Sequence, residues 1–459
     1  MEKGISEQEI LRRRDMRQVL TFTIDPADAK DFDDAISFES LGDGLYQVGV
    51  HIADVTHYVP SGSDIDNEAY EKGTSVYLVD RVIPMLPERL CNDLCSLREG
   101  EDKLCMSVVF TMTADAKVDK YKICRTVIRS DKRLNYEEAQ ELLDLSADAS
   151  EDTLTVALKQ LNVMAKALRQ RRFAAGALDI EQEEVRFRLD EYNHPVEIWF
   201  AKPTDANHLI EEFMLLANRT VAKHIGSKPF VYRVHDKPDE DKMEALHKFE
   251  KRLRAAGKMH TDEQRDTING VIEMLTVRAM AKAVYSPHNI GHYGLAFSHY
   301  THFTSPIRRY PDMIVHRLVD KYVLTGKSAS WTMEQLEDMC DHCSAMEQQA
   351  QQAERDSIKL FQTLWIQDHL GEVFDAHIVN VTEFGLFVRL DANRVEGLIH
   401  IAQVVEGDFM QFDEKNYRLI AQRSGQTFTL GDPIRVQVIR ADSTRLQIDF
   451  LPVNNAEND

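Results

Sequence analysis

Residues 23–35 have the sequence Thr-Ile-Asp-Pro-Ala-Asp-Ala-Lys-Asp-Phe-Asp-Asp-Ala, in which five carboxylates follow the predicted end of a β-strand at Ile24 within ten residues. Two unit charges about 4 Å apart repel by about 4 kcal/mol at an effective dielectric near 20. Such crowding is unfavourable unless a cation lies between the carboxylates. Hard oxygen ligands without His or Cys suit magnesium or manganese rather than zinc. The apolar Phe32 and Ala35-Ile36 tie the loop to a core, and a solvated acidic turn is the alternative.

A second segment, from Ser305 to Arg309, combines a helix-start pattern with two arginines. Ser followed by Pro before an apolar-periodic run predicts an N-cap at Ser305 and the first helical position at Pro306. The free N–H groups and dipole of such a helix end bind phosphate, and Arg308 adds a bidentate fork. A solvated basic pair is the alternative for the two arginines.

Length and composition indicate a globular protein of about three domains. The chain has 459 residues, of which 43% are apolar and 29% charged, so collagen-like and wholly disordered classes are excluded. No apolar run approaches the roughly 20 residues of a membrane helix, and no signal peptide opens the chain. We therefore expect a cytoplasmic protein without a membrane partner. The net charge of −21 does not exclude RNA, because it averages over surfaces that never meet a ligand.

The hydrophobic pattern changes twice along the chain. After a charged lead-in over residues 1–18, strand-like segments alternate with turns to about Arg133, and amphipathic helices follow. A long helix is predicted over residues 333–369. Five short strands after Gly371 then predict a small barrel of the OB type. The six cysteines are too few for a disulfide scaffold, and Cys340 and Cys343 are expected to be core residues.

These motifs resemble the RNase II/RNase R family of exoribonucleases. The acidic stretch is similar to the family signature, and its four acidic positions correspond to Asp25, Asp31, Asp33 and Asp34. The similarity begins at about Arg13 and extends through residues 48–55, 82–87 and 302–310. In the residues of its acidic stretch, the chain is more similar to RNase R than to RNase II. Family members usually carry two cold-shock-type domains before the catalytic domain, for which we expect no room in this chain.

The resemblance implies an α+β fold in two domains. An RNB-type catalytic domain of mixed β-sheet and helices is expected over residues 19–369, including the long helix at its end. A five-stranded OB-fold β-barrel of the S1 type is expected over residues 370–452, followed by a tail over 453–459.

The implied activity is magnesium-dependent, processive hydrolysis of single-stranded or 3′-tailed RNA from its 3′ end, with release of nucleoside 5′-monophosphates. The implied partner is RNA with a free 3′ end, without a cofactor nucleotide, and the protein is expected to be a monomer. A catalytically inactive RNA-binding protein of the same fold is the alternative. A phosphorolytic nuclease is a third, which would release diphosphates.

The resemblance also assigns roles to residues. The four aspartates named above would hold Mg²⁺, or Mn²⁺ in its place, with Asp33 as the residue whose loss stops the chemistry. Arg308 corresponds to the family's transition-state arginine.

RNA contacts are implied at eight further positions. The terminal base would lie between Tyr77 and Glu354. A second set of residues would contact the ribose 2′-hydroxyls, and a third would form a stacking surface on the S1 barrel. The ribose group is Tyr136, Glu211 and Asn218, and the barrel group is Phe384, Phe387 and His400.

Several of these assignments have structural alternatives. Tyr77 and Phe387 could be core aromatics, and Glu354 could be a solvated helix charge. The pattern leaves open whether Glu211 or Glu212 faces inward.

Overall fold

The structure is a computed structural model that describes residues 5–146, 152–178, 183–239, 243–244, 247–248, 250–251, 272, 276, 280–328 and 331–453. Its elements follow the predicted change from strands to helices and back. The strands before the C-terminal barrel are β1 (Arg14–Asp15), β2 (Thr21–Asp25), β3 (Asp34–Gly42), β4 (Leu45–Ala53), β5 (Val76–Tyr77), β6 (Val82–Ile83), β7 (Asp102–Thr113), β8 (Val118–Arg129), β9 (Lys132–Asn135), β10 (Glu184–Leu189), β11 (Pro195–Ala201), β12 (Tyr232–Val234) and β13 (Val284–Ser286). The α-helices are α1 (Glu7–Leu11), α2 (Val55–Tyr58), α3 (Asp64–Lys72), α4 (Tyr136–Asp144), α5 (Thr153–Ala174), α6 (Asp205–Ile225), α7 (Tyr310–Val319) and α8 (Met333–Gln367).

Seven strands form one sheet in the order β1-β8-β7-β4-β3-β2-β9. The pairs β1–β8 and β2–β9 are parallel, and the other neighbours are antiparallel. Because β2 and β3 are antiparallel neighbours, the end of β2 at Asp25 and the start of β3 at Asp34 lie at the same edge of the sheet. The strand order thus brings both ends of the acidic stretch together.

A chain of buried hydrogen bonds crosses the middle of this sheet. His51 on β4 contacts Ser37 Oγ on β3 and Ser107 Oγ on β7, each at 2.8 Å, and Ser107 Oγ lies 2.7 Å from Thr126 Oγ1 on β8. All four side chains are fully buried. A Cβ at Gly49 would overlap both His51 Nε2 and Ser37 Oγ, so only glycine leaves room for this ladder.

The apolar core lies between the sheet and the helices. Phe22 and Phe110 of the sheet, Phe213 of α6 and Phe303 before α7 are all fully buried and belong to one cluster. All six cysteines are buried and free, as predicted for Cys340 and Cys343.

The C-terminal strands close into the predicted five-stranded barrel. Its order is β14-β15-β16-β21-β20, in which the strands are β14 (Val373–Thr382), β15 (Gly385–Leu390), β16 (Glu396–His400), β20 (Pro433–Asp442) and β21 (Gln447–Pro452). A separate three-stranded sheet, absent from the prediction, comprises β17 (Met410–Asp413), β18 (Arg418–Ala421) and β19 (Thr427–Thr429). The α+β class and the barrel are therefore confirmed.

Other expectations have different outcomes. The long helix predicted over residues 333–369 is confirmed as α8, and the amphipathic helices predicted after Arg133 include α5 and α6. Any further helices of that predicted run between residues 240 and 279 fall largely outside the described residues. Among those residues, no helix has the length and apolar character needed to cross a membrane.

Candidate active site

The acidic stretch forms a loop that hydrogen bonds and buried apolar side chains hold against the core. Phe32 N–H donates to Ser96 Oγ at 3.0 Å, and Ser96 Oγ donates to the Lys30 carbonyl at 2.8 Å. Phe32 is 9% exposed, and Ala35 and Ile36 are buried. The predicted apolar anchors therefore hold the loop against the core, and the stretch is not a freely solvated turn.

Asp33 joins the two motifs that the sequence singles out. Asp33 is 4% exposed, and its Oδ1 accepts the N–H of Ile307, 274 residues away, at 2.7 Å. Asp33 Oδ2 lies 3.7 Å from Arg308 Nε. Arg308 remains 43% exposed, so its guanidinium faces both the carboxylate and open space.

Burial and mutual repulsion disfavour the charged form of these carboxylates. Burial raises the pKa of Asp33 well above its ordinary value, with Arg308 opposing and Asp31 and Asp34 adding to the rise. Burial likewise raises the pKa of Asp34 to about 6. The pKa of Asp25 is raised well above its usual range by burial and then by Asp34. A nearby cation would remove much of this penalty.

The donor set fits a hard divalent ion that takes further ligands from water or substrate. Asp25 Oδ2 and Asp33 Oδ2 are buried oxygens without a hydrogen-bond partner in the structure. No three His, Cys, Asp or Glu side chains in the described part of the chain are arranged to hold an ion by themselves. Asp25, Asp31, Asp33 and Asp34 could therefore supply part of a magnesium or manganese coordination shell, with substrate completing it.

The predicted helix start at Ser305 is wrong. Helix α7 begins at Tyr310, and its N-cap Arg309 has an extended backbone. Residues before it form a turn, because Asp312 Oδ1 accepts the Ser305 N–H at 2.7 Å and Asp33 accepts that of Ile307. Arg308 Nη2 donates to Ser305 Oγ at 3.0 Å. Arg308 is thus positioned by this turn rather than at a phosphate-binding helix end.

Tyr77 lies beside the acidic loop in the small β5–β6 hairpin. It is 40% exposed, and its hydroxyl is 3.4 Å from Asp31 Oδ2. Glu354 Oε1 on α8 accepts the Tyr77 N–H at 3.0 Å, and Ser357 Oγ accepts the Val79 N–H at 3.1 Å. Glu354 therefore fixes the backbone of Tyr77, a contact that no local pattern signals.

A cavity of about 650 Å³ opens beside Tyr77 and Asp31. Phe187 on β10 lines the same cavity, and its ring lies 6.0 Å from that of Phe361 on α8. Sequence reasoning missed Phe187. Its apolar alternation with Val185 predicts only a strand, because its place in the cavity depends on packing against α8.

The predicted ribose-contacting residues separate into exposed and buried positions. Tyr136 opens α4 at the edge of a second groove, and its pKa is raised by burial and then by Asp34 and Asp25. Glu211 is 47% exposed, whereas Glu212 faces inward and binds Arg172 at 2.6 Å. Glu212 is therefore the glutamate that faces inward, and the roles of both glutamates stay predictions.

Asn218 is buried, with 3% of its surface exposed. Its Oδ1 accepts the Phe303 N–H at 2.9 Å, and its Nδ2 lies 3.4 Å from both Tyr300 Oη and Thr304 Oγ1. In this arrangement Asn218 supports the segment that leads to Arg308.

The three barrel residues lie near one end of β15 and β16. Phe384 is 63% exposed, and its carbonyl accepts the Ile401 N–H at 2.8 Å. His400 is opposite Gly385, and Phe387 is opposite Leu398. Since directly paired residues point to one side of a sheet, His400 and Phe387 share a face. Phe387 is half-buried rather than part of the barrel core.

Comparisons with known proteins agree with this geometry. The RNB domain model matches residues 13–325, and the S1 RNA binding domain model matches residues 367–451. A ribonuclease R of Thermotoga maritima is 42% identical, over 99% of this chain and 66% of that protein. The chain thus spans about two thirds of the length of that relative.

Two solved structures of Mycoplasma genitalium RNase R are similar. One is in complex with ribose-methylated single-stranded RNA, with a TM-score of 0.89, 28% identity and coverage of 98% of this chain and 74% of that one. The other is in complex with double-stranded RNA, with a TM-score of 0.82, 26% identity and coverage of 98% and 78%. The chain therefore belongs to the RNB-domain family, is related to ribonucleases R, and carries an S1 RNA-binding domain after the RNB domain.

Proposed function

We propose that this chain is a hydrolytic 3′-to-5′ exoribonuclease that removes nucleoside 5′-monophosphates processively from single-stranded or 3′-tailed RNA. The observation that carries the proposal is the ion pair of Asp33 with Arg308, in a cluster where Asp25 Oδ2 and Asp33 Oδ2 are buried without hydrogen-bond partners. An anionic cluster with an exposed guanidinium at its edge suits a phosphodiester bound through a divalent cation.

In this proposal Asp25, Asp31, Asp33 and Asp34 would hold Mg²⁺, or Mn²⁺ in its place, as the direct or water-mediated protein ligands. The ion would supply charge stabilisation to the reacting phosphate and a lower pKa for an attacking water. Asp33 Oδ1 stays bonded to Ile307, which fixes the direction in which Oδ2 points.

Arg308 would bind the charge that develops on the phosphate. Its contact with Ser305 Oγ orients the guanidinium, and its exposure leaves N–H groups available to substrate. A preorganised donor of this kind acts mainly on the transition state, where the charge is greatest.

The cavity beside Tyr77 would receive the 3′-terminal nucleotide. A half-exposed ring held by Glu354 through its backbone can stack on any base. Phe187 lines the same cavity and provides a second ring. Sequence-independent stacking suits an enzyme that degrades RNA of any sequence.

The test is product analysis on single-stranded RNA that carries a label in its 3′-terminal nucleotide. The wild-type chain should release labelled 5′-monophosphate with magnesium or manganese, and none after chelation. Asp33→Asn keeps an acceptor for Ile307 but loses a charge, so it should cut release by at least about 100-fold while retaining RNA binding. Asp43→Asn, an exposed change in the turn at the opposite end of β3, is the matched control and should stay active.

Three outcomes would contradict the proposal. Binding without any release would favour the inactive RNA-binding protein. Labelled diphosphate that requires added inorganic phosphate would indicate phosphorolysis. Near-normal turnover by Asp33→Asn would show that the carboxylate cluster takes no part in the reaction.

A further inference from the structure

The β10–β11 hairpin presents two different faces. Val185 and Phe187 on β10 and Ile198 on β11 pack against the cluster that includes the barrel core. Arg394 of the barrel lies 4.8 Å over the Phe200 ring and pairs with Glu183. One face of the hairpin is therefore fixed to the barrel.

The opposite face carries an exposed tryptophan. Trp199 is 43% exposed and is directly opposite Arg186 in the strand register. Arg186 pairs with Glu184 at 2.8 Å, and both side chains are substantially exposed. Exposed ion pairs contribute little to stability, so Arg186 can exchange this partner for another anion at low cost.

This outer face borders a groove that leads to the acidic cluster. Trp199, Arg186 and Tyr136 line a groove of about 340 Å³ together with Pro26, the residue that follows Asp25. Pro26 and Arg186 also line the cavity that contains Tyr77 and Asp31. The groove and the candidate active site are thus neighbouring parts of one surface.

We propose that the outer face of the hairpin is a nucleotide-binding surface, on which the Trp199 ring stacks on a base of the RNA strand upstream of its 3′-terminal nucleotide. The inference rests on the proposed function, since it takes RNA as the occupant. Continuity with the acidic cluster identifies that occupant: a strand whose end lies beside Tyr77 has this groove beside it.

The charges of the groove favour base stacking over phosphate binding. Asp28, Glu137 and Glu184 line the groove together with Arg186 and Lys202, so its negative charges outnumber its positive ones. Base–aromatic stacking does not depend on net charge and accepts every base. Trp199 should therefore contribute affinity without contributing to the salt dependence of binding.

The experiment uses the full chain with Asp33→Asn, which should bind RNA without degrading it, and a single-stranded RNA oligonucleotide. Trp199 is one of three tryptophans, and RNA should quench its fluorescence. Adding Trp199→Phe should abolish that quenching but keep the affinity within about threefold. Adding Trp199→Ala should weaken binding by roughly 5- to 150-fold, the equivalent of about 1–3 kcal/mol of stacking, with an unchanged salt slope.

Tyr192→Ala is the matched control, because Tyr192 is an 81% exposed aromatic at the tip of the same hairpin and does not line the groove. It should bind RNA like the parent. Unchanged affinity in Trp199→Ala, or quenching that persists in Trp199→Phe, would overturn the inference while leaving the proposed nuclease intact. A parent that binds no RNA would overturn both.

Discussion

Arg308 is oriented by the turn that carries it. Its contact with Ser305 Oγ and its 3.7 Å distance from Asp33 leave the guanidinium partly exposed. Arg308→Ala should therefore lower the single-turnover rate by about 10²–10³-fold and RNA affinity far less, because the fork binds charge that develops in the transition state. Arg308→Lys should recover only part of the rate, since an ammonium lacks the planar fork.

The two effects can be separated by measuring single-turnover rates with metal and RNA dissociation constants under chelation. Equal losses in rate and affinity would make Arg308 an ordinary phosphate clamp.

Tyr77 has a ring free for stacking although its backbone is bound. Glu354 accepts its N–H, and the ring is 40% exposed at the cavity. Tyr77→Ala should change the length of the shortest RNA that resists degradation, because the terminal base is no longer held. Tyr77→Phe is the control and should keep the wild-type product, since stacking needs the ring and not the hydroxyl. A product ladder that is identical in Tyr77→Ala would place Tyr77 outside the substrate path.

Local sequence predicts some of these residues better than others. The acidic positions lie within ten residues of one another, and like charges that close require a cation or solvent wherever the chain folds. The contact of Glu354 with Tyr77 joins residues 277 apart, and that of Asn218 with Phe303 joins residues 85 apart. Such contacts depend on how α6 and α8 pack, which no short pattern contains.

The buried ladder through β3, β4, β7 and β8 makes the sheet sensitive to acid. Burial lowers the pKa of His51 to about 3. Between pH 6.5 and 3 the unfolded chain binds a proton at His51 that the folded chain does not, so this residue's contribution to stability falls as pH falls. From pH 7 to pH 5 the loss should be about 2 kcal/mol.

The measurement is urea unfolding at both pH values for the wild type and for His51→Gln, which keeps hydrogen-bonding capacity without the titration. Raised carboxylate pKa values, such as that of Asp33, act in the opposite direction in both proteins. The difference between the two proteins isolates His51. Parallel pH dependence in both would contradict the assignment.

Helices and strands with a clear hydrophobic period could be predicted from the sequence. Elements in which long-range contacts override the local pattern, or which are too short to show a period, could not. The helix α6 and the strands β14 and β15 follow clear hydrophobic periods. The start of α7 does not follow its Ser-Pro pattern, because Asp33 and Asp312 take the N–H groups that a helix would leave free. The strands β17–β19 have only three or four residues each and so give no readable period.

At the scale of the whole molecule, helix α8 links the Tyr77 cavity to the barrel. Glu354 and Ser357 bind the β5–β6 hairpin, and Lys359 Nζ, close by on the same helix, donates to the Glu396 carbonyl of β16. The Tyr77 cavity and the S1 barrel are therefore held by neighbouring turns of one helix. An RNA strand long enough to reach both would be bound at two fixed points.

Phe384 tests this arrangement, because it is an exposed ring on the barrel and far in sequence from the acidic loop. Phe384→Ala should weaken binding of a long single strand by roughly 5- to 150-fold, as expected for one lost stack of about 1–3 kcal/mol. The salt slope should not change, since that slope counts neutralised phosphates. A short oligonucleotide that occupies only the Tyr77 cavity should bind and react as it does with the wild type.

Phe409→Ala changes a 68% exposed aromatic just before β17. It is the matched control and should leave the binding of both RNAs unaffected. If Phe384→Ala weakens short and long RNA equally, the barrel does not act as a separate binding point, and the two sites are not bridged by one strand.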